Sequence, residues 1–301
     1  MNSNVLQIQD VVKTYEKHIA VNHVSFDMPS GCIFGMLGPN GAGKTSLIRM
    51  ITTITQPDSG TILFNGEKLN SNHPGQIGYM PEERGLYKKM KVGDHLLYLA
   101  QLKGLSYVEA LKQIKYWLER LEIKDWWNKK VEELSKGMQQ KLQFVTTVVH
   151  QPKLLILDEP FSGLDPINAN LLKDEIYKLH QQGTSIIFST HRMEQVEEIC
   201  DRIVLINKGK NILEGSVKDI KNQFKENLFQ IDYTGTLPAN LKERTNITNE
   251  NDHSIQVKLS NDKDSGSLLR YLLDNNVQIK AFNEILPSIN EIFIRQVGES
   301  N

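Results

Sequence analysis

Short apolar runs broken by turn residues open the chain. Leu6–Val12, Asn22–Phe26 and Gly60–Phe64 predict strands, and the third runs into Asn65-Gly66, a pair suited to a tight hairpin turn. Cys32–Leu37 is a short apolar strand that leads straight into the glycine-rich stretch Gly38–Gly43, after which Leu47, Ile48 and Ile51 repeat with helical spacing. From about Val92 to His150 the pattern turns helical, through Leu96–Leu102, Val108–Leu121 and Gln139–Val149, and Trp117, Trp126 and Trp127 all fall there. This stretch, about 91–150, reads as a helical subdomain inserted between strands of a core. Leu154–Leu157 and Ser185–Ser189 are continuous apolar or β-branched runs, as in parallel strands covered on both faces. Between them Asn168–Gln182 has a helical pattern that Gly183 ends. Arg202–Ile206 and Asn211–Glu214 meet across Lys208-Gly209 as a closing hairpin.

Beyond about Lys221 the texture becomes more polar, around two strands at Leu228–Tyr233 and Ile255–Leu259 and two helical patterns near Ser267–Asp274 and Ser288–Val297. The expected architecture is α/β, with a large domain over 1–221 and a small α+β domain over 222–301.

Composition narrows the class. Hydrophobic residues make up 39% and charged residues 24%, enough to bury a core and to exclude wholesale disorder. The 35 basic and 36 acidic side chains leave a net charge of −1, without the basic surplus that nucleic-acid binders use against phosphates. Cys32 and Cys200 are far apart in sequence and form no metal-ligand spacing, so free buried thiols in a reducing compartment are expected. The opening residues, Met1 to Asp10, lack the basic segment and apolar run of a secretory leader. No stretch approaches the ~18–20 apolar residues needed to span a bilayer, so a soluble chain is expected.

The stretch Gly38-Pro39-Asn40-Gly41-Ala42-Gly43-Lys44-Thr45, followed by Ser46, fits the phosphate-binding loop between a strand and a helix. Its glycines let successive N–H groups converge on a phosphate chain, Lys44 neutralises the β- and γ-phosphates, and the Thr45 hydroxyl suits Mg²⁺. The helix that follows adds its positive N-terminal end. Leu154–Leu157 delivers Asp158 and Glu159 at its C-terminal end, where open α/β sheets bind ligands. Asp158 suits the magnesium shell, and Glu159 can polarise a water toward the γ-phosphate. A strand ending in Asp-Glu is by itself most often a solvated end; with the loop it makes a magnesium-nucleotide site. Leu134-Ser135-Lys136-Gly137-Met138-Gln139-Gln140 opens a long helix, with Ser135 as N-cap and Gly137 leaving room for a phosphate at the first amides.

On these residues the chain resembles the ATP-binding-cassette (ABC) ATPases, whose signature at this place reads Leu-Ser-Gly-Gly-Gln. Lys136 and Met138 depart from it, in a variant similar to that of bacterial sodium- and drug-efflux exporter ATPases. The resemblance covers residues 5–220 and extends to further motifs. Phe161-Ser162-Gly163-Leu164-Asp165-Pro166 matches the D-loop, and Ser189-Thr190-His191 ends a strand where the family keeps its switch histidine. Tyr15 sits where the family stacks an aromatic ring on adenine, although an aromatic at a β edge is more often simple packing. Ile77-Gly78-Tyr79-Met80-Pro81-Glu82 stands at the Q-loop, with Glu82 where glutamine is usual. An ionised glutamate only accepts hydrogen bonds. Its charge beside Mg²⁺ and the γ-phosphate calls for a basic neighbour, for which Arg84 is the candidate.

The resemblance implies a P-loop, RecA-like core with an N-terminal antiparallel β subdomain, the inserted helical subdomain and the C-terminal α+β domain. It implies ATP and Mg²⁺ as cofactors, with Lys44, Glu159 and His191 catalytic and Thr45, Asp158 and Glu82 toward the metal. It implies a head-to-tail dimer in which Ser135, Gly137 and Asp165 of one copy meet the nucleotide of the other; both half-sites in one chain favour a homodimer. Integral membrane permease subunits would be received across residues 84–105, with the chain peripheral on the cytoplasmic face and transport running outward. Two other classes stay open. A non-transport ABC ATPase of the translation or DNA-repair type would carry two cassettes, long coiled coils or a basic face. A P-loop GTPase or kinase would leave the signature segment and His191 without roles.

Overall fold

Inward-facing positions stay apolar past the predicted strand ends, and the first two strands are correspondingly long. In the computed structural model, which describes residues 4–83, 85–260 and 264–299, β1 (Asn4–Tyr15) and β2 (His18–Pro29) pair antiparallel, with Ile8 opposite Phe26 and Val11 opposite Val24. Arg84, the candidate neighbour for Glu82, lies outside the described residues. β3 (Ile33–Leu37) is buried at every position and ends at the glycine stretch, and α1 (Lys44–Ile51) follows, burying Leu47, Ile48, Met50 and Ile51. β4 (Ser59–Phe64) and β5 (Glu67–Lys68) form the hairpin predicted at Asn65-Gly66. Both turn residues have positive φ, 50° and 83°, which an Asn-Gly pair adopts at little cost. Among the described residues β2-β1-β4-β5 make one antiparallel sheet.

β6 (Ile77–Met80) begins the second sheet. α2 (Val92–Leu102), α3 (Tyr107–Arg120) and α4 (Lys136–Val148) then intervene before β7 (Leu154–Asp158) pairs parallel with β6. The helical subdomain is thus an insertion between two neighbouring strands, as expected. α5 (Pro166–Gln181), β8 (Ser185–Ser189), α6 (Met193–Ile199), β9 (Arg202–Asn207) and β10 (Lys210–Ser216) complete this unit. The sheet order is β10-β9-β3-β8-β7-β6, parallel except for the β9–β10 hairpin edge. β3, β7 and β8 are buried throughout, which is why their sequences are unbroken apolar runs. Ser189 lies opposite both Met36 and Asp158, and Leu157 lies opposite Met80, so β3, β8, β7 and β6 end at one level. Cys32 and Cys200 are free buried thiols just ahead of the adjacent strands β3 and β9. Burial pushes Cys32 up to about 12 and Cys200 higher still, which keeps both unreactive.

The second unit runs from Val217, so the turn of helix α7 (Val217–Gln223) belongs to it. β11 (Leu228–Thr234), α8 (Leu241–Arg244), β12 (Asn246–Asn251), β13 (Ser254–Lys258), α9 (Asp264–Asp274), β14 (Gln278–Ile285) and α10 (Ile289–Glu299) follow. The antiparallel order is β12-β13-β11-β14. Phe229, Ile231, Ile255, Val257, Leu268 and Leu272 fill its core. The two predicted strands are the central pair. The edges β12 and β14 were not expected; an edge strand half in water needs no apolar alternation, and Asn246–Asn251 has almost none, while β14 alternates only briefly at Ile279 and Ala281. No helix among the described residues is long and apolar enough to cross a membrane.

A buried charge pair ties the helical arm to the core. At the end of α3, Arg120 donates Nε to Glu175 Oε2 at 2.6 Å and Nη2 to Oε1 at 2.8 Å, and Lys178 Nζ donates to Oε1 at 2.9 Å. Burial alone would raise the Glu175 carboxyl; the hydrogen bonds from Arg120 and Lys178 outweigh it and hold the group below its ordinary value. Removing Arg120 leaves a carboxylate that is only 3% exposed with Lys178 as its one remaining cationic partner. Arg120→Ala is therefore expected to lower the unfolding free energy by about 2–3 kcal/mol, read as an earlier urea midpoint at unchanged slope. The carboxyl's folded value is depressed, so its contribution is full above the unfolded value of 4.5 and fades as pH falls through the folded one. The gap between wild type and variant should accordingly narrow in acid.

Candidate nucleotide-binding site

Because four parallel strands end level, the segments that follow them converge. Glycine stretch, Glu82 segment, Asp158-Glu159 and His191 line one cavity of about 360 Å³, together with Tyr15, His18 and Ala20. Of the residues predicted from sequence, Tyr15, Asn40, Gly41, Ala42, Gly43, Lys44, Thr45, Ser46, Glu82, Asp158, Glu159 and His191 all face this space. Gly38 and Pro39 do not line it, but their carbonyls accept Lys44 Nζ at 2.7 and 3.1 Å. The loop is drawn tight against its neighbours. Gly43 has φ 108°, and a Cβ there would run into the Ala20 carbonyl oxygen; at Gly38, φ 149°, a Cβ would meet that of Ile206. Gly209 N–H, from the β9–β10 turn, donates to Ala42 O at 2.9 Å. Helix α1 has no side-chain cap, and its first residues, Lys44, Thr45 and Ser46, line the cavity. Helical geometry leaves first-turn amides without intrahelical acceptors, a ready cradle for an anion.

The cavity is electrostatically lopsided. Lys44 is lowered by burial, against the pull of Asp158, Glu159 and Glu82, whose three carboxylates surround this one ammonium. Asp158, 7% exposed, is raised first by burial and further by Glu82 and Glu159, against the Ser189 hydroxyl and Lys44. Glu159 has φ 50°, a left-handed conformation uncommon outside glycine, pinned by its own N–H donating to Ser189 O at 2.9 Å. That twist turns its carboxylate away from the strand. Thr190 Oγ1 donates to Oε2 at 3.1 Å, the His191 N–H donates to Oε1 at 2.8 Å, and His191 Nδ1 lies 2.6 Å from the same oxygen. Two adjacent acids thus receive different surroundings, one buried and raised, the other aimed and hydrogen-bonded.

Ser135, Gly137 and Asp165 do not reach this cavity. Ser135 caps α4 by accepting Met138 N–H at 3.2 Å, and Asp165 caps α5 by accepting Asn168 N–H at 3.0 Å. Gly137 faces the turn after Glu159, where an added Cβ would lie 3.3 Å from Gly163 O. Five further residues at the site were not anticipated as such: His18 and Ala20 in the cavity wall, Thr190 on Glu159, and Gln140 and Gln143 beneath the loops. The hairpin that carries His18 is legible, and Thr190 stands between two motif residues. Nothing in the spacing of the glutamines distinguishes them from ordinary helix residues.

A phosphate loop on a parallel sheet, an Asp-Glu strand end and a hydrogen-bonded histidine define a P-loop nucleotide-hydrolase site. The ABC transporter family model matches residues 21–162, and that of the ATP-binding protein DrrA1-3-like C-terminal domain matches 215–297. The uncharacterized ABC transporter ATP-binding protein YhaQ of Bacillus subtilis is 44% identical over 98% of this chain and 99% of its own. The linearmycin resistance ATP-binding protein LnrL of the same organism is 30% identical over 98% and 99%. Among solved structures, an ATP-binding subunit of an ABC transporter superposes with TM-score 0.69 at 30% identity, over 73% of this chain and 93% of that one. The chain belongs to the ATP-binding subunits of ABC transporters and is an ABC ATPase.

The tight loop makes a direct prediction. Gly43→Ala asks a Cβ to occupy the Ala20 carbonyl and an L residue to hold φ 108°. ATP binding is expected to weaken by ~10-fold or more, as titration with a fluorescent ATP analogue would show, while the far-ultraviolet circular dichroism stays native.

Proposed function

We propose that this chain binds MgATP in the cavity, closes head-to-tail on a second copy of itself, and hydrolyses ATP to drive separate membrane subunits that export their cargo. The observation that carries this reading is the Glu159 carboxylate, held by Thr190 and His191 across the cavity from Lys44. Lys44 and the α1 amides bind phosphate oxygens, and Tyr15 offers its ring to the base. Glu159 accepts the proton of the attacking water, while His191 keeps Oε1 in place and reaches toward the γ-phosphate.

The residues present fit a divalent cation. Three carboxylates face a single ammonium, and the Thr45 hydroxyl lines the same wall. No group of three acidic, histidine or cysteine side chains among the described residues is placed to hold a metal by itself. Mg²⁺ would therefore take Thr45 and Asp158, with Glu82 beside them, and complete its shell from phosphate and water. When bound, the ion screens the charge on the β- and γ-phosphates.

Ser135, Gly137 and Asp165, remote from their own cavity, are read as the part each copy lends to the other's nucleotide. Both halves lie in one chain, which supports a homodimer. ATP that binds the closed pair more tightly than the open one shifts the equilibrium toward closure, and hydrolysis releases it. The membrane subunits would dock in a groove of about 560 Å³ beside the Glu82 segment, where Leu86, Leu99, Leu102 and Lys103 face Gln143 and His150. Exposed Tyr87 and Tyr98, stacked edge to face, add apolar surface of the kind found in interfaces. This reading puts the chain on the cytoplasmic face of the membrane. Outward transport is supported by the name of the linearmycin resistance relative, since expulsion of a compound is a direct route to resistance.

Glu159→Gln keeps the shape and loses the base. It is expected to convert a monomer into a stable dimer in MgATP, read by size exclusion with light scattering; an unaltered monomer would defeat the dimer reading. Glu82→Gln should keep ATP affinity within about threefold and change the stimulation of hydrolysis by the reconstituted membrane subunits. Unchanged stimulation would remove Glu82 from the coupling path.

A further inference from the structure

One stripe of α4 faces the loops of its own subunit at three-residue spacing. Gly137 abuts the turn after Glu159. A turn further on, Gln140, 1% exposed, donates Nε2 to Pro160 O at 2.8 Å and to Glu159 O at 3.4 Å. After another turn Gln143, 3% exposed, donates Nε2 to Pro81 O at 2.7 Å, directly before Glu82. A buried amide is desolvated at a cost that only its hydrogen bonds offset, and an apolar chain of equal length would fill the same space. Both amides are directed at backbone carbonyls next to two of the cavity's three acids, Glu159 and Glu82. Such contacts hold the position of a peptide whatever side chain it carries.

We infer that Gln140 is a positioning residue for hydrolysis, tying the helix that begins at Ser135 and Gly137 to the peptide that aims Glu159. The inference rests on the proposed function, in which that helix tip engages the ATP of the second copy. Seating of the tip in one half-site then sets the base of the other, so that the two sites fire together. Glu159 is sensitive to such a push. Its left-handed backbone and three-point carboxylate contact leave its aim to the frame of its own peptide. A misplacement of ~1 Å near reacting atoms is enough to cost ~100-fold in rate.

Steady-state ATPase of the full chain tests this. Gln140→Met, close in shape but without a donor, should lower kcat ~10–100-fold while KM for ATP stays within about twofold and the thermal midpoint within a few degrees. Gln140→Asn, one methylene short, should fail in the same way. Gln140→Lys returns a donor between the two carbonyls, much as Lys103 is held by Pro74 O at 2.7 Å and Ile77 O at 3.0 Å, and should regain most of kcat. Glu159→Gln combined with Gln140→Met should still form the ATP-bound dimer, showing that the helix tip is intact. Full kcat in Gln140→Met, equal losses in kcat and affinity, or no recovery with Lys would each overturn the inference. Should Gln140→Met fail to fold, the contrast between Asn and Lys decides by the same criteria. A Glu159→Gln protein that never dimerises would instead defeat the proposed function.

Discussion

Asp158 lies opposite Ser189 in the ladder between β7 and β8, and Met36 lies opposite the same serine from β3. This register is the constraint on which the site depends. Strands buried on one face have their register chosen by the apolar pattern, since a slip of one residue would turn every side chain over. β3, β7 and β8 are buried on both faces, so that selection is weak here. Polar groups at the strand ends do the choosing. Glu159 N–H donates to Ser189 O, Gly31 N–H to Ser185 Oγ at 2.9 Å, and Ile33 N–H to Asp201 Oδ2 at 2.8 Å. Each would be a buried or half-buried orphan after a slip, at roughly 1–3 kcal/mol apiece.

Once the ends are level, electrostatics follows from crowding. Lys44 is drawn toward two carbonyls on its own loop and toward three carboxylates from two other strands. Desolvation prevails over the carboxylates for Lys44, and over the ammonium for Asp158, so both shift toward their neutral forms. A cavity in that condition is suited to ligands that bring negative phosphate and positive metal together. The Glu159 backbone leaves the strand direction, which places its carboxylate among the Thr190 and His191 donors.

Besides the packing of α4 on β6, polar contacts of distinct chemistry join the helical arm to this core. Arg120 and Glu175 form a charge pair, Gln140 and Gln143 reach carbonyls, and Lys103 closes over the start of β6. Polar contacts of this type are directional, and two alternative arrangements of the arm would differ in which of them are made. Burial drives the ring of His150, in the neighbouring groove, down to about 4, so it is neutral there at ordinary pH. The same groove therefore sets one lysine, Lys103, among apolar residues and uncharged polar ones such as Gln143, Thr146 and Thr147.

Much was legible from the chain alone. Local chemistry determined the phosphate loop, the Asp-Glu strand end, the Asn-Gly and Lys-Gly hairpins and the inserted helices, because each depends on φ preferences or on periodicity over a few residues. Edge strand β12 was hidden because its exposed run carries almost no apolar alternation; β14 does alternate at Ile279 and Ala281, over a stretch too short to stand out from its polar surroundings. Only the tertiary structure decided that Tyr15, Glu82 and His191, separated along the chain, share one cavity with Lys44, and that Cys32 and Cys200 precede neighbouring strands. It alone also revealed Thr190 as a partner of Glu159, and Gln140 and Gln143 as partners of the loops that border the cavity. Hydrogen bonds to backbone carbonyls impose no pattern on the partner's sequence, so their donors become visible only when the fold brings them within three ångströms or so.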